Sequence, residues 1–112
     1  MLLLRQKLLP NNIQEYSGLA VYKLTGEFSQ NTARAVEAAG SSMIAQGQFS
    51  FDLSGLERID SAAVAVMIEW QRQADKQNRA MEFHDAPAGL LSLIRLYGLT
   101  EQFQLTASAG RH

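Results

Sequence analysis

Hydrophobic and polar residues along this chain recur with two periods, and the switches between the periods mark out its elements. In Leu19-Ala20-Val21-Tyr22-Lys23-Leu24, the residues Leu19, Val21 and Lys23 face one way and Ala20, Tyr22 and Leu24 the other. Both sides are largely apolar, which predicts a central strand half covered by helices. It is the second arm of a hairpin whose first arm lies around Ile13 to Tyr16, with a tight turn at Ser17-Gly18, and it ends at Thr25-Gly26. Ser29 then reads as the N-cap of a helix from about Gln30 to Gln46, with Gly47 in the stop position. Thr32, Val36, Ala39 and Met43 recur there at helical spacing, and Ala33 and Gly40 widen the stripe. The small residues Ala35, Ala38, Ala39 and Gly40 let this helix lie close to whatever it covers.

The next strand runs from Phe49 to Leu53 and meets a turn at Ser54-Gly55. A short step, Leu56 to Asp60, delivers Ser61 to the N-cap of a second helix, from Ala62 to about Gln77. On its wheel Ala63, Val64, Met67, Ile68, Trp70 and Ala74 form the core arc. Ala62, Val66, Glu69 and Gln73 form a smooth row on roughly the opposite side, beginning beside Ser61. Met81 and Phe83 alternate inward along a strand from Ala80 to His84. A third helix, Ala88 to Tyr97, turns Leu90, Leu91, Ile94 and Tyr97 to the core and stops at Gly98. Leu99 and Phe103 add a last short strand or cover the end of the core, and the tail from Thr106 is small and polar. A hairpin feeding alternating helices and strands predicts an α/β fold with a mixed sheet, right-handed crossovers and most helices on one face.

Composition narrows the function classes. The 112 residues suit one domain, 1–112, with a core over about 13–103 and a peripheral arm and tail. Ten Lys/Arg against eleven Asp/Glu give a net charge of −1 with no basic run, so no footprint for nucleic acid is present. There is no cysteine, hence no thiol nucleophile, disulfide or Cys-held zinc. In MLLLRQKLLP the charges follow only four apolar residues, which reads as a short strand or docked arm and not as a signal peptide or membrane span. A cytoplasmic protein that meets a membrane only through a partner is the expectation.

Catalytic chemistry is sparse. His84 and His112 have no carboxylate or second ligand at a suggestive spacing, and no histidine is placed to activate Ser61. The glycines occur singly, so no phosphate-cradling loop is visible. Asp52, Glu57 and Asp60 converge near strand ends, where a solvated acidic rim outweighs a Mg²⁺ site. The expectation is no enzyme, no cofactor and no metal. A small-molecule sensor groove between Ser54 and Ser61 is a weaker alternative that nothing in the sequence requires.

Four segments carry a resemblance: LTGEF (24–28), FDLSGLERIDSAAV (51–64), FHDAP (83–87) and LIRLYGLTEQF (93–103). Together they resemble the STAS domain, the family of bacterial anti-sigma-factor antagonists and of small subunits in lipid-asymmetry ABC transporters. The resemblance spans about 13–103 and implies a STAS-like mixed sheet of four to five strands with helices mainly on one face, in a binding module. In the antagonists a kinase phosphorylates the hydroxyl residue after the motif's Asp, which here is Ser61 after Asp60. In the transporter subunits the same place and the following helix dock on the ABC ATPase. Two positions depart from the family pattern: Ala63 stands where Gly is usual, and Gly26-Glu27-Phe28 is followed by Ser29 in place of an acidic residue. The short chain and its Leu96-Tyr97-Gly98-Leu99 ending look more like the transporter subunit of the MlaB type. The resemblance therefore implies a partner surface of Asp60, Ser61, Ala62, Ala65, Val66 and Glu69 for an ABC transporter ATPase. Its alternative is a kinase-type anti-sigma factor, with Ser61 as the phosphorylation site.

Overall fold

In the computed structural model, residues 13–16 and 19–107 are described; the turn expected at Ser17-Gly18, the N-terminal arm and most of the tail lie outside them. Five strands form one sheet in the order of the chain: β1 (Ile13–Tyr16), β2 (Leu19–Phe28), β3 (Ser50–Ile59), β4 (Glu82–Ala86) and β5 (Gln104–Ala107). β1 pairs antiparallel with β2, Tyr16 opposite Leu19, and every later pairing is parallel. Three helices, α1 (Ala33–Ala45), α2 (Ser61–Asp75) and α3 (Ala88–Leu96), connect the parallel strands, with a 3₁₀ turn at Thr100–Gln102 before β5. Each crossover joins neighbouring parallel strands in one direction, and with the right-handed connection that such units adopt the helices share one face of the sheet. The mixed α/β sheet expected from the pattern is present.

Its core is a line of aromatics. Tyr22, Phe51 and Phe83 follow one another across β2, β3 and β4, with edge-on contacts between ring centroids 5.1 and 6.2 Å apart. Phe103 extends the line past Phe83. Trp70 of α2 stands over it, 5.0 Å from the Phe51 ring and 5.6 Å from Phe28, completely buried. Its indole Nε1–H donates to the Glu37 carbonyl of α1 at 3.1 Å, satisfying the one polar atom that burial would otherwise penalise. Gly40 makes this contact possible: a Cβ there would sit 2.3 Å from the indole. Trp70, placed in the core arc by the wheel, is thus the centre of the core.

Several expectations change. β2 runs through Thr25-Gly26 to Phe28, and β3 is one ten-residue strand with no turn at Ser54-Gly55. The partner of β2 residue n advances from n + 29 (Lys23 with Asp52) to n + 30 (Thr25 with Gly55) and n + 31 (Glu27 with Arg58). Two extra residues are thus absorbed in β3 as bulges, which relieve the strand without ending it. Gly55 marks close strand approach, since a Cβ there would lie 2.8 Å from the Leu24 carbonyl oxygen. α1 begins three residues later than expected, at Ala33, and its buried stripe runs through Gly40 and Ile44, leaving Ala39 exposed. β4 is displaced to Glu82–Ala86, with Met81 and Phe83 buried as expected. Gly98, at φ 71°, stops α3 in a conformation that favours glycine. Tyr97 just before it is 49% exposed and not on the core side, because α3 ends one residue earlier and Leu90 and Ile94 fill that side. Thr106 and Ala107, expected in the peripheral tail, belong to β5.

Candidate docking site

β2 and β3 end together, Phe28 paired with Ile59, and the chain turns there into α1 and α2. Asp60, between β3 and α2, has extended backbone (φ −134°, ψ −172°) and is the N-cap of α2. Its Oδ1 accepts the Ala62 N–H at 2.9 Å. Ser61, expected as the cap, is instead the first helical residue, exposed, and its hydroxyl bonds to no other described residue. Both residue types cap well. The choice falls to Asp60 because its second oxygen, Oδ2, also accepts the Gln30 N–H from the β2–α1 turn at 3.0 Å. The Asp60 N–H donates in turn to the Phe28 carbonyl at 3.3 Å.

The turn that meets Asp60 is itself tightly bonded. Thr32 Oγ1 donates to the Glu27 carbonyl and accepts the Ser29 N–H, each at 3.0 Å. Spent on these bonds, the Thr32 side chain does not cap α1. Ser29, the expected cap, is buried; its hydroxyl donates to Glu27 Oε2 and accepts the Asn31 N–H at 3.1 Å. Asn31 Nδ2 also donates to Glu27 Oε2, at 3.2 Å. The Ser29 hydroxyl, and then the Asn31 amide, hold the Glu27 carboxyl below the usual glutamate range.

The residues of the expected partner strip do not all reach the surface. Ser61 and Ala65 are exposed, and Asp60, Ala62 and Glu69 are half-buried. Val66 is only 6% exposed and belongs to the core. It lies one turn before Trp70, the residue that packs on α1, so α1 covers its side of the helix. Conversely Ile68, placed in the core arc, is 38% exposed at the rim of a groove of about 320 Å³ that Leu99, Gln102 and Phe103 also line. The outward row of α2 is therefore Ser61, Ala65, Ile68 and Arg72, flanked by Ala62 and Glu69. Glu69 accepts from Arg72 and from Gln73, and these bonds, Gln73 first, lower its pKa.

The other carboxylates first grouped with Asp60 do not join it. Asp52 is 1% exposed in mid-strand, its Oδ1 accepting the Ser54 N–H at 2.9 Å, while Glu57 is exposed. Among the described residues no group of three or more His, Asp or Glu could hold a metal ion. His84 lies beside Asp52 in the sheet register, 3.4 Å from Glu82. No described helix is long and apolar enough to cross a membrane.

A known family matches nearly the whole chain, this junction included. The family model described as "Mlab, STAS domain" matches residues 14–107. The chain belongs to the STAS domain family. Solved structures repeat the fold. A putative anti-sigma factor antagonist from Thermotoga maritima is 12% identical, with 83% of this chain and 82% of that one covered and a TM-score of 0.69. An anti-sigma factor antagonist from Mycobacterium paratuberculosis is 24% identical, covering 87% and 84%, with a TM-score of 0.68. SpoIIAA, an anti-sigma factor antagonist in its unphosphorylated form, is 14% identical over 87% of each chain, with a TM-score of 0.60. Comparison with curated proteins finds no match. At these identities the structures speak for the STAS architecture alone.

Proposed function

We propose that this STAS domain is a non-enzymatic docking module, bound in the cytoplasm to the ATPase subunit of an ABC-type phospholipid transport system that maintains outer-membrane lipid asymmetry. Contact with the inner membrane would then be through that partner. The observation that carries this reading is the division of labour between Asp60 and Ser61. Asp60 caps α2, so the Ser61 hydroxyl is not needed by the fold and stays exposed at the start of the helix. The contact residues are Asp60, Ser61, Ala62, Ala65 and Glu69; Val66 supports this face from beneath. The family description, which names MlaB, supports the transporter partner.

Ser61→Arg places a bulky charge on this surface without touching a core or capping group. Co-purification with the ATPase subunit should fall at least about tenfold, with the thermal midpoint unchanged. Undiminished co-purification would count against this placement.

The exposed Ser61 directly after Asp60 also supports a second reading, an anti-sigma-factor antagonist switched by phosphorylation; the three similar structures are of anti-sigma factor antagonists, one a putative one and one in its unphosphorylated form. A phosphate would add about −1.5 to −2 charges beside the Asp60 carboxylate. Burying that charge in an interface next to like charge would release the partner. Intact-mass measurement on protein from its native cells decides the point: a species heavier by about 80 Da, one phosphate, supports the switch. A uniformly unmodified chain sinks it.

A further inference from the structure

The five contact residues form a strip much smaller than a stable interface, which buries roughly 800 Å² on each partner and takes some 20–30 residues a side. A docking surface centred on Ser61 must therefore extend beyond α2. It has two directions open to it: across the β2–α1 turn, or along the helix past Ile68 to the groove at Leu99 and Phe103.

We infer that Asp60 is a positioning residue that makes the surface composite, joining the exposed side of the β2–α1 turn, Gln30 and Asn31, to Ser61 and Ala65. This rests on the docking reading above and specifies its extent. The two oxygens of the Asp60 carboxylate accept backbone N–H groups from two different segments, Oδ2 from Gln30 and Oδ1 from Ala62. The bond between Asp60 N–H and the Phe28 carbonyl adds a third tie across the same seam. On the far side of the seam, the bonds among Glu27, Ser29, Asn31 and Thr32 fix the turn internally. Gln30 and Asn31 are exposed, and the Gln30 side chain makes no bond to a described residue. A turn held in this way meets a protein partner without an ordering cost, which is what preorganisation contributes to affinity. Toward Ile68 the tie is a single side-chain bond, Gln71 Nε2–H donating to the Gln102 carbonyl at the edge of an open groove.

Asp60→Ser separates the two jobs of the carboxylate. A serine at this position still caps α2, but its shorter side chain does not reach Gln30. The expected result is Gln30 amide exchange at least about tenfold faster, little change in thermal midpoint, and association with the ABC ATPase subunit weakened roughly tenfold. Gln30→Glu alters only the exposed side chain and should weaken association to a similar degree, even if Asp60→Ser proves less stable than intended. Ile68→Glu should leave it within about twofold. If Ser61→Arg abolishes association while Gln30→Glu does not weaken it, the composite surface is overturned and the docking reading stands. The same holds if Ile68→Glu is the change that weakens it. Association that survives Ser61→Arg removes the docking reading and the composite surface together.

Discussion

At the scale of single residues, the informative pair is Asp60 and Ser61. Two competent caps stand side by side, and a one-dimensional pattern has no means of choosing between them. What decides is a partner thirty positions away, the Gln30 N–H, which only a carboxylate with two acceptor oxygens serves together with the cap. The motif was therefore legible and the assignment of the cap was not. Glu27 adds a testable consequence. Its folded pKa is depressed by the Ser29 and Asn31 donors, so the stabilisation it gives the turn is complete above the ordinary value of 4.5. That stabilisation is lost as pH falls through the lowered value. Resonances of Ser29 and Asn31 should therefore shift together in an NMR titration, with a midpoint below 4.5. Glu27→Gln should abolish that transition. A midpoint at or above the ordinary value would contradict the bonding described for the turn.

At the scale of elements, periodicity located β1 to β4 and the three α-helices, left β5 open between a strand and a cover for the core, and erred where a neighbour overrides the pattern. The core arc of α2 was legible in Ala63, Val64, Met67, Trp70 and Ala74, all buried. Val66 and Ile68 were exchanged between inside and outside because a helical wheel carries no record of α1 on one side and an open groove on the other. Gly55 was read as a turn because glycine punctuates loops more often than it relieves close strands. In β3 it does the latter, between two bulges that bring the strand end to Asp60. Gly55→Ala should force β2 and β3 apart at the Leu24 carbonyl and cost about 1–3 kcal/mol, measurable by urea unfolding. A loss below about 0.5 kcal/mol would mean that the strands give way freely there.

For the whole molecule, the aromatic line under α2 sets how the layers fit, and Gly40 is where α1 makes room for the Trp70 indole. Gly40→Ala would drive a methyl group into an indole already fixed by Phe28, Phe51 and the Glu37 carbonyl. Destabilisation of about 1–3 kcal/mol is expected, with a red shift of the single tryptophan's emission as its packing loosens. An unchanged midpoint and spectrum would show that Trp70 has room to move. The order of the strands has a further consequence, for how the chain reaches this state. Each strand pairs with the one made just before it, so no segment waits for a distant mate and every loop to be closed is one crossover long. Such local wiring lowers the entropic barrier to folding. On the ribosome, β2, α1, β3 and α2 emerge before β4, and the Asp60 tie between the two turns lies wholly within them. The surface around Ser61 can thus take shape while the last two strands of the sheet are still being synthesised.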